Sequence, residues 1–382
     1  MKLSNQADLI SGQSMFKILA KAQQLEIQGK QIFHLEIGDP YFDTHKSVVK
    51  ATCEALNKGQ THYANSLGLA ELRQEICYYT VDNWGFSPLI EQVCVAPAHL
   101  IIYFALRCLV NPDDEVVYPD PSFPSYLADI KLVGAKPIPV QLKEENGFRL
   151  KFVDIEKVVT DKTRLIILNS PSNPTGAIMD ASDLIKIDAL AELKDIWILS
   201  DEVYYKMAYD KSVVSISTID ECLKRTILLN SFSKIFSMSG FRLGYAIAPP
   251  EVIEKFGLMV QSTISCVPPF IQYAGIAALK DCVDYNKKIV KQLKAQRDWV
   301  VKEFNDMGLS CATPDGAFYL MPNITKTGMN SQLFADFMLD KGVALLPGTD
   351  FGQYGEGYVR ISYASKPESL KGAINKMKDV LK

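Results

Sequence analysis

Between about residues 90 and 250, short apolar runs rich in β-branched residues alternate with helical patterns: QVCVAP, EVVYPD, KPIPVQL, RLIILNSP, IWILSDE, TILLNS and GYAIAP. Near-continuous apolar strands are what a parallel sheet needs when helices cover both of its faces. This pattern predicts an α/β fold whose large domain is a mostly parallel, seven-stranded sheet between helices. A chain of 382 residues has room for two domains, or for one large domain with an appendage. No repeat, low-complexity tract or Pro/Ser-rich linker divides it, so a second domain has to be assembled from the two termini. KKIVKQLKAQRDWVVKEFNDMG reads as a long amphipathic helix stopped at Gly308, followed by short strands and helices. The predicted division is a large domain over 45–279 and a smaller α+β domain, with an N-terminal arm, over 1–44 and 280–382.

Composition narrows the ligand. A net charge of -3 provides no electrostatic reason for nucleic acid or an acidic membrane as partner, which leaves a small molecule. The cysteines, at 53, 77, 94, 108, 222, 266, 282 and 311, form no C-x-x-C and no Cys/His group of metal-site spacing, so they are expected as buried, reduced thiols. The start, MKLSNQADLISGQSMF, has no apolar signal-peptide core, and no stretch approaches the roughly 20 apolar residues that span a bilayer. A cytoplasmic location is the expectation.

Ligands of open α/β sheets lie beyond the carboxyl ends of the strands. Here those ends carry Ala98 and His99 after VCV, Phe123 after EVVYPDPS, Asn173 after RLIILNSPS, Asp201 after WILS, and Ser231 with Lys234 after TILLN. Asp201 closes an apolar strand, where a carboxylate calls for a cationic partner. Lys234 sits in SFSKIFSMSGFRLGY, among small hydroxyl and apolar residues. Such surroundings weaken a lysine's hold on its proton and suit it to act as a nucleophile or to form a Schiff base. An amine to hold an aldehyde and a carboxylate to keep a ring nitrogen protonated are the two needs of pyridoxal phosphate. Its phosphate would take the amides of Ala98 and His99 at the start of helix AHLIIYFAL, with Ser231, Ser233 and Arg242, while Phe123 stacks on the ring.

SFSKIFSMSGFRLGY, NSPSNPTG, SDEVYY, HYANSLGLAELRQEI and YVRISYA, taken in order, resemble the class I/II aminotransferases of the fold-type I pyridoxal-phosphate group. The resemblance runs from about Ile37 to Ala364. It implies that Lys234 forms the internal aldimine and later shuttles the α-proton, that Asp201 partners the pyridine nitrogen, and that Asn173 and Tyr204 hydrogen-bond the phenolic oxygen. It further implies that Arg360 grips the substrate α-carboxylate, with the Gly38 backbone beside it. Tyr63 would reach the phosphate of a neighbouring subunit, making a homodimer with shared active sites. The implied reaction is transamination in two half-reactions, from an L-amino acid such as glutamate to a keto acid or other carbonyl acceptor, with or without a phosphate.

VCVAPAHLIIYFAL departs from the family pattern: about one residue short, it has Ala98 in place of glycine and His99 or Leu100 where acidic-substrate members carry lysine. That argues against aspartate as substrate and leaves His99 either touching an acceptor or lending only its backbone amide. Taken singly the residues also have ordinary readings: Asp201 as a helix cap, Phe123 as packing, Asn173 as a turn former, the arginines as surface charges. His34, His45 and His62 are expected to be structural or exposed. A lyase or decarboxylase of the same fold is the alternative, disfavoured because Arg360 would retain the carboxylate; a non-enzymatic pyridoxal-phosphate module is the third reading.

Overall fold

The structure, a computed structural model, describes residues 2–4, 7 and 12–381; Met1 and Lys382, the outer limits of the expected small domain, lie outside the described residues. The seven apolar runs form one sheet. In spatial order its strands are Val93–Val95, Gly244–Ile247, Thr226–Ser231, Trp197–Asp201, Thr163–Asn169, Glu115–Asp120 and Lys136–Gln141. The five from Thr226–Ser231 to Lys136–Gln141 are parallel. Pro137 and Pro139 cannot donate to a ladder, and their strand lies at an edge, where one side needs no partner. Gly244–Ile247 runs antiparallel to both Thr226–Ser231 and Val93–Val95. Two reversals restore the direction, so the helix Ala98–Leu109 leaves Val93–Val95 at the same sheet edge as Asp201 and Ser231.

Both faces of the sheet are covered. Ile101, Phe104 and Ala105 of that helix pack with Val252, Ile253 and Phe256 against Leu165, Leu199 and Leu229 on one face. On the other, Ile166, Leu168 and Ile198 meet Leu184, Ile187 and Ala191. The continuous apolar strands are thus explained by burial on both sides.

The terminal segments build two smaller sheets. Phe33–His34 pairs in parallel with Val343–Ala344, and Val359–Ser362 is flanked by Leu346–Pro347 and Tyr319–Leu320, antiparallel to each. The long helix runs over Val283–Asp306; Gly308, at φ +76°, turns the chain so that the Leu309 amide donates to the Phe304 carbonyl. All eight cysteines are free, six of them buried, with Cys53 exposed and Cys108 half-buried. No helix among the described residues is long and apolar enough to cross a membrane.

Asp120 is among the residues that fasten the terminal segments to the main sheet. Asp120, at the carboxyl end of its strand and 1 % exposed, accepts from the Gln353 and Tyr354 amides, each at 3.2 Å. The Ser122 amide donates to the Phe351 carbonyl at 2.7 Å. Gly352 lies so close, at φ +137°, that a Cβ would sit 2.0 Å from the Asp120 carboxylate. Replacing Asp120 with Ala strands two amides and is expected to cost about 1–3 kcal/mol, lowering the thermal midpoint by several degrees in calorimetry.

Candidate active site

The strand ends surround a cavity of about 550 Å³, ample for a cofactor with a small substrate. Parallel register sets Asn169 level with Asp201, and Asp201 level with Leu229, two residues before Ser231. Polar groups from three neighbouring strands therefore emerge side by side. Of the residues singled out in the sequence, Gly38, Ala98, His99, Phe123, Asn173, Asp201, Tyr204, Ser231, Ser233, Lys234, Arg242 and Arg360 all line the cavity. Tyr63 does not; its side chain is 87 % exposed elsewhere on the surface.

Asp201 is 6 % exposed. Its carboxylate accepts from the Tyr126 hydroxyl at 2.6 Å and the Val203 amide at 3.2 Å. Burial pushes the Asp201 carboxyl up to about 6 even though both hydrogen bonds favour the ion. Lys234 projects from the turn after Thr226–Ser231 and donates to the Gly38 carbonyl at 2.5 Å, with the Phe318 ring 5.9 Å from its nitrogen. Desolvation, assisted by the Arg360 and Arg242 charges, lowers the ammonium to about 8. A useful fraction of the amine is thus unprotonated near neutral pH.

Asn173 reaches the pocket through the Ser170–Gly176 turn, where its amide donates to the Asn169 side chain at 2.8 Å. Its own side-chain oxygen is buried without a partner. Tyr204 shares a 2.8 Å hydroxyl contact with Tyr319. Arg360, 2 % exposed, donates to the Glu36 carbonyl and lies between the rings of Tyr319 and Phe351, 4.6 and 5.0 Å from their centroids; its Nε has no partner. A desolvated guanidinium fixed by two aromatic faces, with donors to spare, has the chemistry to bind a carboxylate.

At the opposite side Ser231 and Ser233 hydroxyls lie 3.0 Å apart, and the helix beginning at Ala98 supplies first-turn amides that have no intrahelical acceptor. Arg242, exposed and in the left-handed region at φ +53°, donates to the Ser239 carbonyl at 2.7 Å and approaches His99 Nδ1 at 3.5 Å. The His99 ring stands 5.2 Å from that of Phe123. Although His99 opens to the mouth, crowding by its neighbours and then the Arg242 and Lys234 charges lower its affinity for a proton. Gln13, from the N-terminal segment, contacts His99 Nε2 at 3.4 Å and donates to Ser125 at 3.2 Å.

Pyridoxal phosphate suits this donor set. A carboxylate, an amine in the wall, and a group of hydroxyls, amides and a guanidinium match a ring nitrogen, an aldehyde and a phosphate. The unpartnered Asn173 oxygen is a further polar atom awaiting a ligand or its hydration. The sequence reading passed over Tyr126, Gln13, Tyr319, Asp350 and Phe351, which also line the cavity. Tyr126 was within reach, three residues from Phe123 on the helix Pro124–Leu132; the others have no local signature.

The profile of the family described as aminotransferase class I and II matches residues 30–377. The chain is 39% identical to aromatic-amino-acid aminotransferase 2 of Thermococcus litoralis over 100% of this chain and 99% of that one. It is 38% identical to aspartate aminotransferase of Pyrococcus abyssi, over the same shares. The crystal structure of aromatic aminotransferase from Pyrococcus horikoshii OT3 superposes with a TM-score of 0.90 at 39% identity, covering 95% of this chain and 98% of that chain.

Asp201 generates a test with opposite signs for stability and turnover. Its folded-state value, about 6, is above the ordinary 3.8, so the stabilising contribution is complete below about 4 and is lost as pH rises through 6. At neutral pH the buried ion is a cost. Asp201→Asn is expected to raise the melting midpoint of cofactor-free protein at about pH 7.5 while lowering turnover about 100-fold or more.

Proposed function

The chain belongs to the class I and II aminotransferases and is a pyridoxal-phosphate-dependent transferase, and from that premise we propose which residues serve it and which substrates it takes. When bound, the cofactor supplies an aldehyde to receive an amino group and a ring that delocalises the electron pair left at the substrate α-carbon. Lys234 would hold that aldehyde and then move the proton between the α-carbon and the cofactor. Its lowered proton affinity supports this reading. Asp201 would face the ring nitrogen, steadied by Tyr126, while Asn173 and Tyr204 take the phenolic oxygen and Phe123 covers the ring. The Ala98 and His99 amides, Ser231, Ser233 and Arg242 would hold the phosphate. Arg360 would bind the α-carboxylate beside Gly38, keeping that group in place and so favouring transamination over decarboxylation.

The acceptor we propose is a 2-oxo acid with a bulky, uncharged side chain. One observation carries this. Among the described residues the cavity's Lys and Arg side chains are Lys234, Arg242 and Arg360, each already committed to aldehyde, phosphate or α-carboxylate. The remaining wall includes Met15, Phe16, Ile37, Leu346 and Phe351, with Gln13 and His99 as neutral polar groups and the carboxylates of Asp39 and Asp350, which would repel a second negative charge. Glutamate is the proposed donor: one methylene longer than the side chain of oxaloacetate, its side chain would carry the distal carboxylate out to the exposed His99 and the partly exposed Gln13, where neutral donors and water meet it in place of a cation. The name of the Thermococcus litoralis relative agrees with an aromatic substrate and that of the Pyrococcus abyssi relative with aspartate, so the reading rests on the cavity's charges.

We further propose a homodimer in which Tyr63 of each copy enters its neighbour's site, a reading supported by the exposure of that side chain. We propose the domain division 45–279 against 1–44 with 280–382, with Asp120 among the residues joining the two. A cytoplasmic location agrees with eight free thiols.

The test is spectroscopic. L-Glutamate added to the reconstituted enzyme should convert the cofactor's absorption to that of its amine form, and Lys234→Ala should abolish the conversion. The amine form should then react with phenylpyruvate at a kcat/KM at least about 10-fold above that for oxaloacetate, a discrimination well within what one unpaired buried charge produces. Preference for oxaloacetate would overturn the substrate reading, and absence of any Lys234-dependent conversion would overturn the site.

A further inference from the structure

Behind Arg360 lies a cluster of charges that the reaction does not use. Glu36 follows the strand Phe33–His34 and is fully buried. Its main-chain oxygen accepts from Arg360, while its side chain turns to His34, whose Nδ1 lies 2.7 Å from Oε1. Oε2 is buried with no partner, as is Arg360 Nε. The other His34 nitrogen, Nε2, meets Glu26 Oε1 at 3.1 Å, on the helix Ser14–Ile27 whose first turn lines the cavity.

Ionised carboxylates only accept hydrogen bonds. An imidazole with a carboxylate at each nitrogen therefore carries hydrogen at both and is a cation. Its hydrogen bond to Glu36, reinforced by Glu26, raises His34 to about 9 against the effect of burial. The charge is present throughout the neutral range.

We propose that His34 is a positioning residue: by engaging the Glu36 carboxylate it keeps that buried anion from pairing with Arg360, and so leaves the guanidinium free for the substrate's α-carboxylate. A buried carboxylate that loses its partner seeks the next cation or takes up a proton. For Glu36 that cation is Arg360, which already reaches the same residue's main chain, feels its charge, and has an unpartnered Nε. Such a pair would close the receptor from within. His34 thus acts on affinity, with no part in the proton transfers at the α-carbon. The inference rests on the reading of Arg360 as the carboxylate receptor.

The experiment is a double-mutant cycle on the cofactor-loaded enzyme, with KM and kcat measured for the amino donor in the direction where donor binding precedes slow chemistry. His34→Gln removes the cation and should raise the KM about 10-fold with kcat within about 2-fold. His34→Gln/Glu36→Gln removes the competing anion as well and should return the KM to within about 3-fold of wild type. A merely structural role would make the double variant worse than the single one, and that result overturns the proposal, as does an unchanged KM in His34→Gln. If His34→Gln does not fold, Glu36→Gln alone decides: with one negative charge fewer near Arg360 its KM should fall about 2-fold, and a KM equal to or above wild type overturns the proposal. Arg360→Lys run alongside separates the two readings. A KM that does not respond to Arg360→Lys refutes the receptor itself, whereas one that responds there but not to His34→Gln refutes only the role of His34.

Discussion

The site hangs on the parallel register of three neighbouring strands. Pairing of Thr163–Asn169 with Trp197–Asp201, and of the latter with Thr226–Ser231, sets Asn169, Asp201 and the turn bearing Lys234 along one edge of the sheet. A slip of one residue in a strand would turn its side chains to the other face, burying polar groups in the apolar layers and withdrawing Asp201 from the cavity. Burial on both faces forbids that slip. The packing that makes the sheet stable is therefore also what fixes the order in which carboxylate, amide and amine face the ligand.

Once placed, these groups influence one another through a poorly solvated space. Asp201 and Lys234 are each driven toward their neutral forms by burial, and Arg360 and Arg242 add to the effect on Lys234. Arg242 and Arg360 form no ion pair with the cavity's carboxylates, Asp39, Asp201 and Asp350, and so keep donors for an anionic ligand. A phosphate and an α-carboxylate would pair with those two guanidinium groups, so binding and folding stability are coupled there. The apolar remainder of the wall then has no surplus charge to offer a second carboxylate, which is why the substrate reading follows from electrostatics more than from shape.

Much of this was legible in the residues because it depended on local pattern. Apolar runs announced the strands, and the polar residues just past their ends announced the cavity. S-x-S-K with Arg eight positions on, N-P-T-G and the late R-I-S each kept its chemistry within a short stretch. What escaped depended on partners distant in the chain. Tyr319 meets Tyr204, Gln13 meets His99 and Ser125, and Asp120 catches the loop at Gln353 and Tyr354. Periodicity says which face of an element is buried and nothing about which remote residue lies opposite. Tyr63 is the converse: legible only through family resemblance, it stands outside the cavity of its own chain.

His34 shows how far a residue's neighbours can change its meaning. In the sequence it is a lone histidine beside a two-residue run, LE, and the ordinary expectation for such a residue is structure or exposure. Its strand is only two residues long, yet pairing with Val343–Ala344 brings it between a helix carboxylate and a fully buried one. Glu36 in turn belongs to the segment whose carbonyls receive both Arg360 and, at Gly38, Lys234. The segment that follows this short strand thus carries main-chain acceptors for Arg360 and Lys234, and a side-chain anion able to compete for one of them. Retaining that anion in the core is tolerable only while a permanent positive charge stands beside it, because a lone buried carboxylate would be satisfied at the expense of the receptor. If Arg360 receives the α-carboxylate as proposed, the imidazolium is as much a condition of that receptor as the arginine that forms it.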